Sequence, residues 1–205
     1  DWADWWGRGG TIEERAAGAG LRPVIRPVET YFEEHYRGRA AGSTVISAAL
    51  EARAIALGVP ADRILRLPGG SDPESVTPRD PVACRRLVGI DDAPLVGYLG
   101  TLLSNDAALL FDAFRALRER RPDARLVLIG NPKVAVPDIP GILRTGFVAF
   151  DRMLDWLGAC DVMLLPQRDS IANRARWPSK VNDYLAAGKP IDRKSTRLNS
   201  SHTDI

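Results

Sequence analysis

The sequence is poor in cysteine and has no hydrophobic run of membrane-spanning length. Its two cysteines, Cys84 and Cys160, stand far apart and outside any C-x-x-C spacing, so they indicate neither a disulfide framework nor a zinc site. We expect two buried thiols and no metal. No apolar run reaches the roughly 18 residues of a membrane span, and the start DWADWWGRGG lacks the basic and apolar regions of a signal peptide. We therefore expect a cytoplasmic protein, with peripheral association at the inner face of a membrane left open.

The sequence also has no large excess of positive or negative charge. Lys and Arg number 28 against 26 Asp and Glu, for a formal net charge of +2, so we expect no nucleic-acid partner. The hydrophobic share of 45% is that of a globular protein, and 205 residues allow one large domain or two incomplete ones. His35 lies beside Glu33 and Glu34, a setting more typical of a solvated helix residue than of a catalytic base.

The two ends of the sequence suggest a fragment. The chain starts at Asp1, and its only methionines are Met153 and Met163, so we expect that the natural protein extends further. Residues 192–205, DRKSTRLNSSHTDI, have no apolar periodicity and resemble the translation of a sequencing-adapter oligonucleotide. We predict a non-native, unstructured tail there.

The first third of the chain predicts alternating helices and strands, which favours a parallel sheet. The expected helices are a short one opened by the capping pattern at Thr11–Glu14, one at Glu29–Arg39 with Tyr31, Phe32 and Tyr36 on its apolar side, and Ala48–Leu57; the expected strands are Ser43–Ser47 and Arg63–Leu67. Several prolines and scattered charges between Gly69 and Pro94 predict a linker between domains.

The second part repeats the strand–helix pattern. The expected strands are Leu95–Leu99, Arg125–Ile129, one within Gly141–Val148, and Asp161–Leu165; the expected helices begin at Ser104, cover Asp151–Ala159 and cover Pro178–Ala187. This pattern predicts a doubly wound sheet whose ligand sites lie at the carboxyl ends of the strands.

Two common phosphate-binding motifs are absent from this part. The turn after the first strand, GYLG, lacks the G-x-G-x-x-G spacing, and the GNP that follows RLVLI offers no acid for a ribose. The GKP at Gly188 has proline where a P-loop needs Ser or Thr. Dinucleotide and P-loop nucleotide binding are therefore disfavoured.

A different phosphate site is suggested by the segment WPSKVNDYLAAGKP. Pro178 suits the first turn of a helix, and Ser179, Lys180 and Asp183 then share one helix face. Free amides and a lysine at a helix start can hold a diphosphate, and a carboxylate one turn deeper can accept two ribose hydroxyls. The alternative is a solvated helix in which Lys180 pairs with Asp183.

Three long segments, VISAALEARAIALGVPADRILRLPGGSD, VGYLGTLLSNDAALLFDAFRALRERRPDARLVLIG and DVMLLPQRDSIANRARWPSKVNDYLAAGKP, resemble glycosyltransferase family 4. The similarity covers about Asp1 to Ile191 in matching order. It implies an α/β, GT-B-like fold of two Rossmann-like, doubly wound parallel-sheet domains, the first only partly present. The implied boundaries are 1–75 for the acceptor side, 76–191 for a truncated donor domain and 192–205 for the tail.

The resemblance also implies donor-site residues. Asp183 stands at the second acid of the family's E-x7-E motif, where a Glu usually binds ribose, while Ala175 stands at the first. Gly100 and Thr101 follow the first strand of the donor domain, where the family holds the donor. The family's usual Arg and Lys would fall on Thr101 and Asp106. We therefore expect the implied donor-site residues to be Gly100, Thr101, Arg174, Arg176, Ser179, Lys180 and Asp183.

At the other end of the chain, Asp4, Trp5 and Trp6 stand beside glycines. Aromatic rings and carboxylates suit sugar rings, and the resemblance places this segment on the acceptor side. The alternative is that the tryptophans anchor a core beneath a glycine-rich loop.

The resemblance implies metal-independent transfer of a sugar, with retention of configuration, from a nucleotide-diphosphate sugar to a glycan, lipid-linked or small-molecule acceptor, without a cofactor. A catalytically silent nucleotide-binding module with a regulatory or scaffolding role is the alternative. We expect the 205-residue chain alone to be inactive, because its sheets lack strands that would complete them.

Overall fold

The computed structural model describes residues 1–14 and 19–192 of the chain. In chain order, the elements are α1 (Thr11–Glu14), α2 (Arg22–Tyr36), β1 (Ser43–Val45), α3 (Ala48–Ala56), β2 (Ile64–Arg66), α4 (Pro81–Val88), β3 (Leu95–Leu99), α5 (Ser104–Arg120), β4 (Arg125–Ile129), β5 (Ile142–Gly146), α6 (Phe150–Ala159), β6 (Val162–Leu164), α7 (Ile171–Ala175), α8 (Ser179–Ala186) and β7 (Ile191–Asp192). None of the helices in this part of the chain combines the length and apolar character needed to cross a bilayer.

The chain forms two compact units. Unit 1 comprises residues 1–69 and 169–178, and unit 2 comprises residues 70–168 together with the chain from Ser179 onward. The segment 169–178, which carries α7, therefore belongs with the first unit although it follows β6 in the sequence.

Unit 1 is built around a small parallel pair of strands. β1 pairs with β2, and Trp2 forms a parallel bridge to Val45 on β1. Helix α3 begins after Ser47, whose hydroxyl accepts a hydrogen bond from the backbone N–H of Leu50 at 3.2 Å. The core is a cluster of buried apolar side chains: Trp2, Val45, Leu50, Ala54, Val59 and Ala175. The expected strands and the helix from Ala48 are confirmed.

Helix α2 differs from its prediction at both the start and the buried face. The helix begins at Arg22 rather than at Glu29. Pro23 suits its first turn, because a backbone N–H there has no hydrogen-bond partner within the helix. The apolar side of α2 is not buried among the described residues, since Tyr31 and Phe32 are more than half exposed. The buried residues of α2 are instead Thr30 and Glu33. Phe32 stacks on the exposed Tyr36, with ring centroids 5.4 Å apart.

Unit 2 contains a five-stranded, fully parallel sheet in the order β5-β4-β3-β6-β7. Successive strand residues alternate between two cores, so that Leu95 and Val127 pack on one face while Val96 and Leu126 pack on the other. Both faces are therefore covered, as a parallel sheet requires. The sequence runs outward from β3 to β5 and then resumes at β6 on the other side of β3, which places a topological switch point between β3 and β6.

The expected linker between Gly69 and Pro94 contains a helix, so the prediction is wrong for that stretch. Helix α4 starts at Pro81, and the carboxylate of Asp80 caps it by accepting from the N–H groups of Val82 and Ala83. Cys84 on α4 is 2% exposed and belongs to the core of unit 2. The prolines that suggested a linker include the one that starts the helix. Both cysteines are free and buried, as expected.

Asp192 was predicted to belong to the unstructured tail, and this is wrong for that residue. Its carbonyl accepts a hydrogen bond of 3.0 Å from the N–H of Leu165, and β7 pairs in parallel with β6. Backbone pairing of this kind does not depend on the side chain, so composition could not reveal it. The rest of the expected tail, residues 193–205, lies outside the described residues.

Gly97 lies at the centre of β3, where an added side chain would meet close neighbours. A Cβ at this position would lie 2.6 Å from Sγ of Cys160 and 2.7 Å from Sδ of Met163. We expect Gly97→Ala to lower the free energy of unfolding by about 1–3 kcal/mol through overpacking, as measured by urea denaturation.

Removing the Cys160 sulfur in the double variant Gly97→Ala/Cys160→Ala is expected to recover part of that loss. Gly70→Ala is the control, because its added Cβ meets nothing within 4 Å. Equal stability of Gly97→Ala and Gly70→Ala would contradict the overpacking explanation.

Candidate functional site

The carboxyl ends of β3 and β4 form two close glycine turns in unit 2. Gly100 follows β3 with φ +101°, and its N–H donates to the carbonyl of Ile129 at 2.8 Å. Gly130 follows β4 with φ +123°, and a Cβ on it would lie 3.0 Å from the Gly100 carbonyl oxygen. Side chains are disfavoured at both positions, so the strand ends present bare backbone at the switch point.

Helix α8 is attached to this strand end by a buried tyrosine. Tyr184 has no exposed surface, and its hydroxyl accepts a hydrogen bond from the N–H of Leu99 at 3.0 Å. The helix runs from Ser179 to Ala186 and is followed by Gly188 with φ +67°, which agrees with the expected helix. The bond to Leu99 brings the start of α8 to the switch point.

Lys180, in the first turn of α8, lies at the Gly100 turn. Its Nζ donates to the hydroxyl oxygen of Tyr98 at 2.8 Å and is 4.0 Å from the Tyr98 ring centroid. The Tyr98 hydroxyl in turn donates to the carbonyl of Thr101 at 3.1 Å. Nζ is also 3.6 Å from where a Cβ of Gly100 would stand. The cation is thus held by a short chain of hydrogen bonds next to exposed backbone.

Burial changes the proton affinity of this pair. It lowers the pKa of Lys180 to about 8, while the negative charge of Asp106 acts in the opposite direction. Burial also raises the pKa of Tyr98, with a further contribution from Asp106, so the phenol stays protonated and can donate to Thr101. An anion bound beside Lys180 would favour its charged form.

Asp183 and Ser179 are on the same helix as Lys180 but have different surroundings. Oδ1 of Asp183 accepts a hydrogen bond of 3.0 Å from the Ser71 hydroxyl, which precedes α4 in the chain. Ser179 is the exposed first residue of the helix. The alternative interpretation predicted an ion pair between Lys180 and Asp183, and no such pair is present among the described residues, where these side chains bond to Tyr98 and Ser71 instead.

The two arginines predicted to supply positive charge to the donor belong to unit 1. Arg174, at the end of α7, pairs with Asp169 at 3.1 Å. Arg176, just after α7, has its Nε 3.3 Å from Oδ1 of Asp4. Each arginine therefore has an acidic partner within unit 1, and a role in phosphate binding stays a prediction.

Ala175 takes the place of the first acid of the E-x7-E motif and is completely buried. It packs in the core of unit 1, and its carbonyl accepts a hydrogen bond of 2.6 Å from the Ser47 hydroxyl. The methyl group has no polar atom to offer a ligand. Thr101 is exposed, and only its backbone carbonyl has a described role, as the acceptor for Tyr98.

The three residues expected on the acceptor side have different environments in unit 1. Asp4 is engaged by Arg176. Trp5 packs against the core cluster, with the guanidinium of Arg53 4.5 Å from its ring centroid. Trp6 is half-buried and lines a cavity beside α2. The core-anchor alternative thus describes Trp5, and the buried Trp2 shares that role.

Sequence reasoning missed the partners that position Lys180 and Asp183. Tyr98 is the one polar side chain of an otherwise apolar strand, a signal that could have identified it. Ser71 lies in the GGSD segment between β2 and α4, where no local pattern indicated a role for its hydroxyl. Tyr184 gave no separate signal, because a tyrosine in an amphipathic helix is typical of core packing.

Comparisons with known proteins identify the fold. Residues 93–191 match the family model of glycosyl transferases group 1. Anabaena HepE, solved with UDP and glucose, aligns at 18% identity and a TM-score of 0.60, covering 80% of this chain and 47% of that one. Sucrose-phosphate synthase from Thermosynechococcus elongatus aligns at 17% identity and a TM-score of 0.64, covering 90% and 47%. The fold is that of the GT-B glycosyltransferases.

A curated relative of this chain is D-inositol 3-phosphate glycosyltransferase from Stackebrandtia nassauensis. The two are 38% identical over an alignment of 85 residues, and the match covers 38% of this chain and 19% of that protein. The chain also spans about half the length of the solved GT-B structures that it matches. The expected α/β, GT-B-like fold is confirmed, and the assignment to family 4 stays a prediction.

The bond between Tyr184 and Leu99 provides a test of how α8 is held. We expect Tyr184→Phe to lower the free energy of unfolding by about 1–3 kcal/mol, because the strand-end N–H loses its acceptor in a buried position. Urea denaturation of the chain measures this. Tyr36→Phe is the matched control, since Tyr36 is 50% exposed. A loss no larger than that of Tyr36→Phe would show that the bond does not stabilise α8.

Proposed function

We propose that this chain is the donor-binding part, with some of the acceptor side, of a glycosyltransferase that uses a nucleotide-diphosphate sugar. The observation that carries the proposal is the position of Lys180, half-buried beside the Gly100 turn at the start of α8. Support also comes from the match of residues 93–191 to glycosyl transferases group 1. HepE was solved with UDP and glucose, so a uridine nucleotide is the first donor to test.

The proposed role of each residue in the donor site follows from its charge and hydrogen-bonding groups. The diphosphate lies beside Lys180 and the free N–H groups at the start of α8, where a cation and the helix dipole both favour negative charge. Asp183 accepts hydrogen bonds from the ribose hydroxyls, and Ser71 holds its carboxylate in place. Gly100 and Thr101 leave the backbone open to the phosphates.

In the proposed reaction the bond between the sugar's anomeric carbon and the diphosphate oxygen breaks. A new bond forms from that carbon to an acceptor hydroxyl, whose proton is released. Negative charge develops on the departing diphosphate, where Lys180 gives electrostatic stabilisation. Retention of configuration, metal independence and the absence of a cofactor are further proposals that rest on the resemblance to family 4.

Ala175 favours a second candidate, a catalytically silent nucleotide-binding module. A buried methyl group at the position of the motif acid removes the contact that family members make with the donor sugar. Release of nucleoside diphosphate from a nucleotide sugar by the complete gene product separates the two candidates. Nucleotide binding without turnover would favour the silent module.

Substitutions on α8 test the donor site directly. We expect Asp183→Ala to weaken UDP binding by about 1.5–3 kcal/mol, the usual value of hydrogen bonds to a charged group. Lys180→Ala should weaken UDP more than uridine, with a difference that shrinks on adding salt, because the cation acts on phosphate charge. Calorimetric titration of the chain with uridine and UDP at two salt concentrations measures both effects.

Asp112→Ala is the matched control for these titrations, because this carboxylate is exposed on α5 and pairs only with Arg115 among the described ion pairs. Its affinity for UDP should equal that of the parent chain. Unchanged UDP affinities in Asp183→Ala and Lys180→Ala would exclude α8 from the nucleotide site.

The lowered pKa of Lys180 predicts a pH dependence. A lysine with a pKa of about 8 is mostly charged at pH 7 and mostly neutral at pH 9, so UDP affinity should fall by up to about tenfold across this range. The charge of Asp106 acts on the pKa of Lys180, and the Tyr98 hydroxyl accepts its hydrogen bond. The Tyr98 phenol keeps its proton between these pH values, because burial raises its pKa.

Lys180→Arg keeps its charge over the whole range, so its UDP affinity should change little. Uridine, which carries no phosphate, serves as the ligand control for both proteins. Parallel pH curves for the parent and Lys180→Arg would mean that Lys180 does not contact the diphosphate.

A further inference from the structure

The hydroxyl group of Tyr98 lies between the first turn of α8 and the turn that follows β3. The residue is 3% exposed, and its ring packs in the core that α5 covers. Its hydroxyl oxygen accepts a hydrogen bond of 2.8 Å from Nζ of Lys180, and its O–H donates one of 3.1 Å to the carbonyl of Thr101. One buried hydroxyl therefore connects the cation of α8 to the backbone of the Gly100 turn.

The proton of this hydroxyl gives the chain of hydrogen bonds a direction. A neutral phenol has one proton, and the carbonyl of Thr101 can only accept, so the proton of Tyr98 is used in that bond. Lone pairs of the hydroxyl oxygen remain for Lys180, whose ammonium group can only donate. Every proton in the chain thus points from α8 towards the β3 turn, and Tyr98 is an acceptor for Lys180.

The other charged groups around Lys180 also favour its protonated form or are occupied elsewhere. Asp106 on α5 acts to raise the pKa of Lys180, against the lowering caused by burial. Asp183, on the same helix, accepts from Ser71. The Gly100 turn presents backbone only, and burial raises the pKa of Tyr98, which keeps the phenol protonated.

The ring of Tyr98 adds to the effect of its hydroxyl. The centroid of the ring is 4.0 Å from Nζ of Lys180, within the range of a cation–π contact. A lysine side chain is long and flexible, so two contacts with one rigid residue restrict where its ammonium group lies. Tyr98 takes one of the three donors of this group, which leaves two for a ligand at the Gly100 turn.

We propose that Tyr98 is a positioning residue that holds Lys180 as a charged donor, so that this end of the site selects a ligand group able only to accept hydrogen bonds. The identification of that group as a phosphate oxygen of the donor nucleotide rests on the proposed glycosyltransferase function. Tyr98 does not contact the ligand in this proposal, and its hydroxyl acts through Lys180 alone.

NMR titration of Lys180 tests the link to Tyr98 without any ligand. The chain has four lysines, Lys133, Lys180, Lys189 and Lys194, so labelling them with 13C at Cε gives few signals, and the one absent from Lys180→Arg belongs to Lys180. Tyr98→Phe keeps the ring and removes only the hydroxyl. We expect this variant to lower the pKa of Lys180 from about 8 by about one unit or more, because the charged form loses its acceptor. An unchanged pKa would overturn the proposal.

Tyr36→Phe is the matched control, because it removes an exposed hydroxyl in unit 1 and should leave the pKa of Lys180 unchanged. Circular dichroism checks that both variants fold. If Tyr98→Phe does not fold, the parent chain with 3-fluorotyrosine gives a second readout. One tyrosine 19F signal should then shift with the pKa of Lys180, and this shift should be absent from Lys180→Arg. A parent chain without such a signal would count against the proposal.

A double-mutant cycle with UDP at pH 8 tests whether Tyr98 acts through Lys180. A fall in the Lys180 pKa from about 8 to about 7 reduces its charged fraction at this pH from about one half to about one tenth, so Tyr98→Phe should weaken UDP about fivefold. Uridine should bind both proteins equally. In the Lys180→Ala background, Tyr98→Phe should not change UDP affinity. Equal weakening of UDP in both backgrounds would show that Tyr98 does not act through Lys180.

The two measurements separate the role of Tyr98 from the proposed function. Failure of the parent chain to bind UDP would reject the nucleotide site, while a lowered Lys180 pKa in Tyr98→Phe would still establish the link between the two side chains. If the parent chain binds UDP and Tyr98→Phe changes neither the Lys180 pKa nor the UDP affinity, the nucleotide site stands and the role assigned to Tyr98 is wrong.

Discussion

The hydrogen bond from the Leu99 N–H to the Tyr184 hydroxyl is the constraint on which the candidate donor site depends. It joins the end of β3 to a helix that begins 80 residues later in the chain. With that helix fixed, Lys180 reaches Tyr98 and the Gly100 turn, and Asp183 reaches Ser71. The site is therefore a property of the sheet's switch point, where the strand order reverses and loops from both sides meet.

The parts of the fold that the sequence predicted are those set by local patterns. The apolar strands β3 and β4 and the helix α8, with its following glycine, were all found from short runs of residues. The errors arose where tertiary context decides. Helix α2 exposes its apolar side and buries Glu33, which reverses the usual rule of amphipathic helices. The sequence did not predict α4, because prolines are also typical of linkers. It did not predict β7, because a strand of two residues is too short to show an alternating pattern.

The sequence predicted the helix that carries the candidate site, but not the residues that the side chains of this helix contact. Lys180 and Asp183 share one face of one helix, so their spacing was enough to group them. Tyr98 is 82 positions from Lys180, and Ser71 is 112 positions from Asp183. Contacts at such separations follow from strand order, which no local pattern contains. Arg174 and Arg176 are close to Lys180 in the sequence, but they belong to unit 1, whereas Lys180 belongs to unit 2.

Both thiols of the chain belong to unit 2, since Cys84 lies on α4 and Cys160 follows α6. Each is almost fully buried, and burial raises the pKa of both, Cys160 to about 12. The nucleophilic thiolate is thus scarce while this unit is folded. The rate of alkylation at neutral pH therefore reports on the opening of unit 2, where both thiols lie.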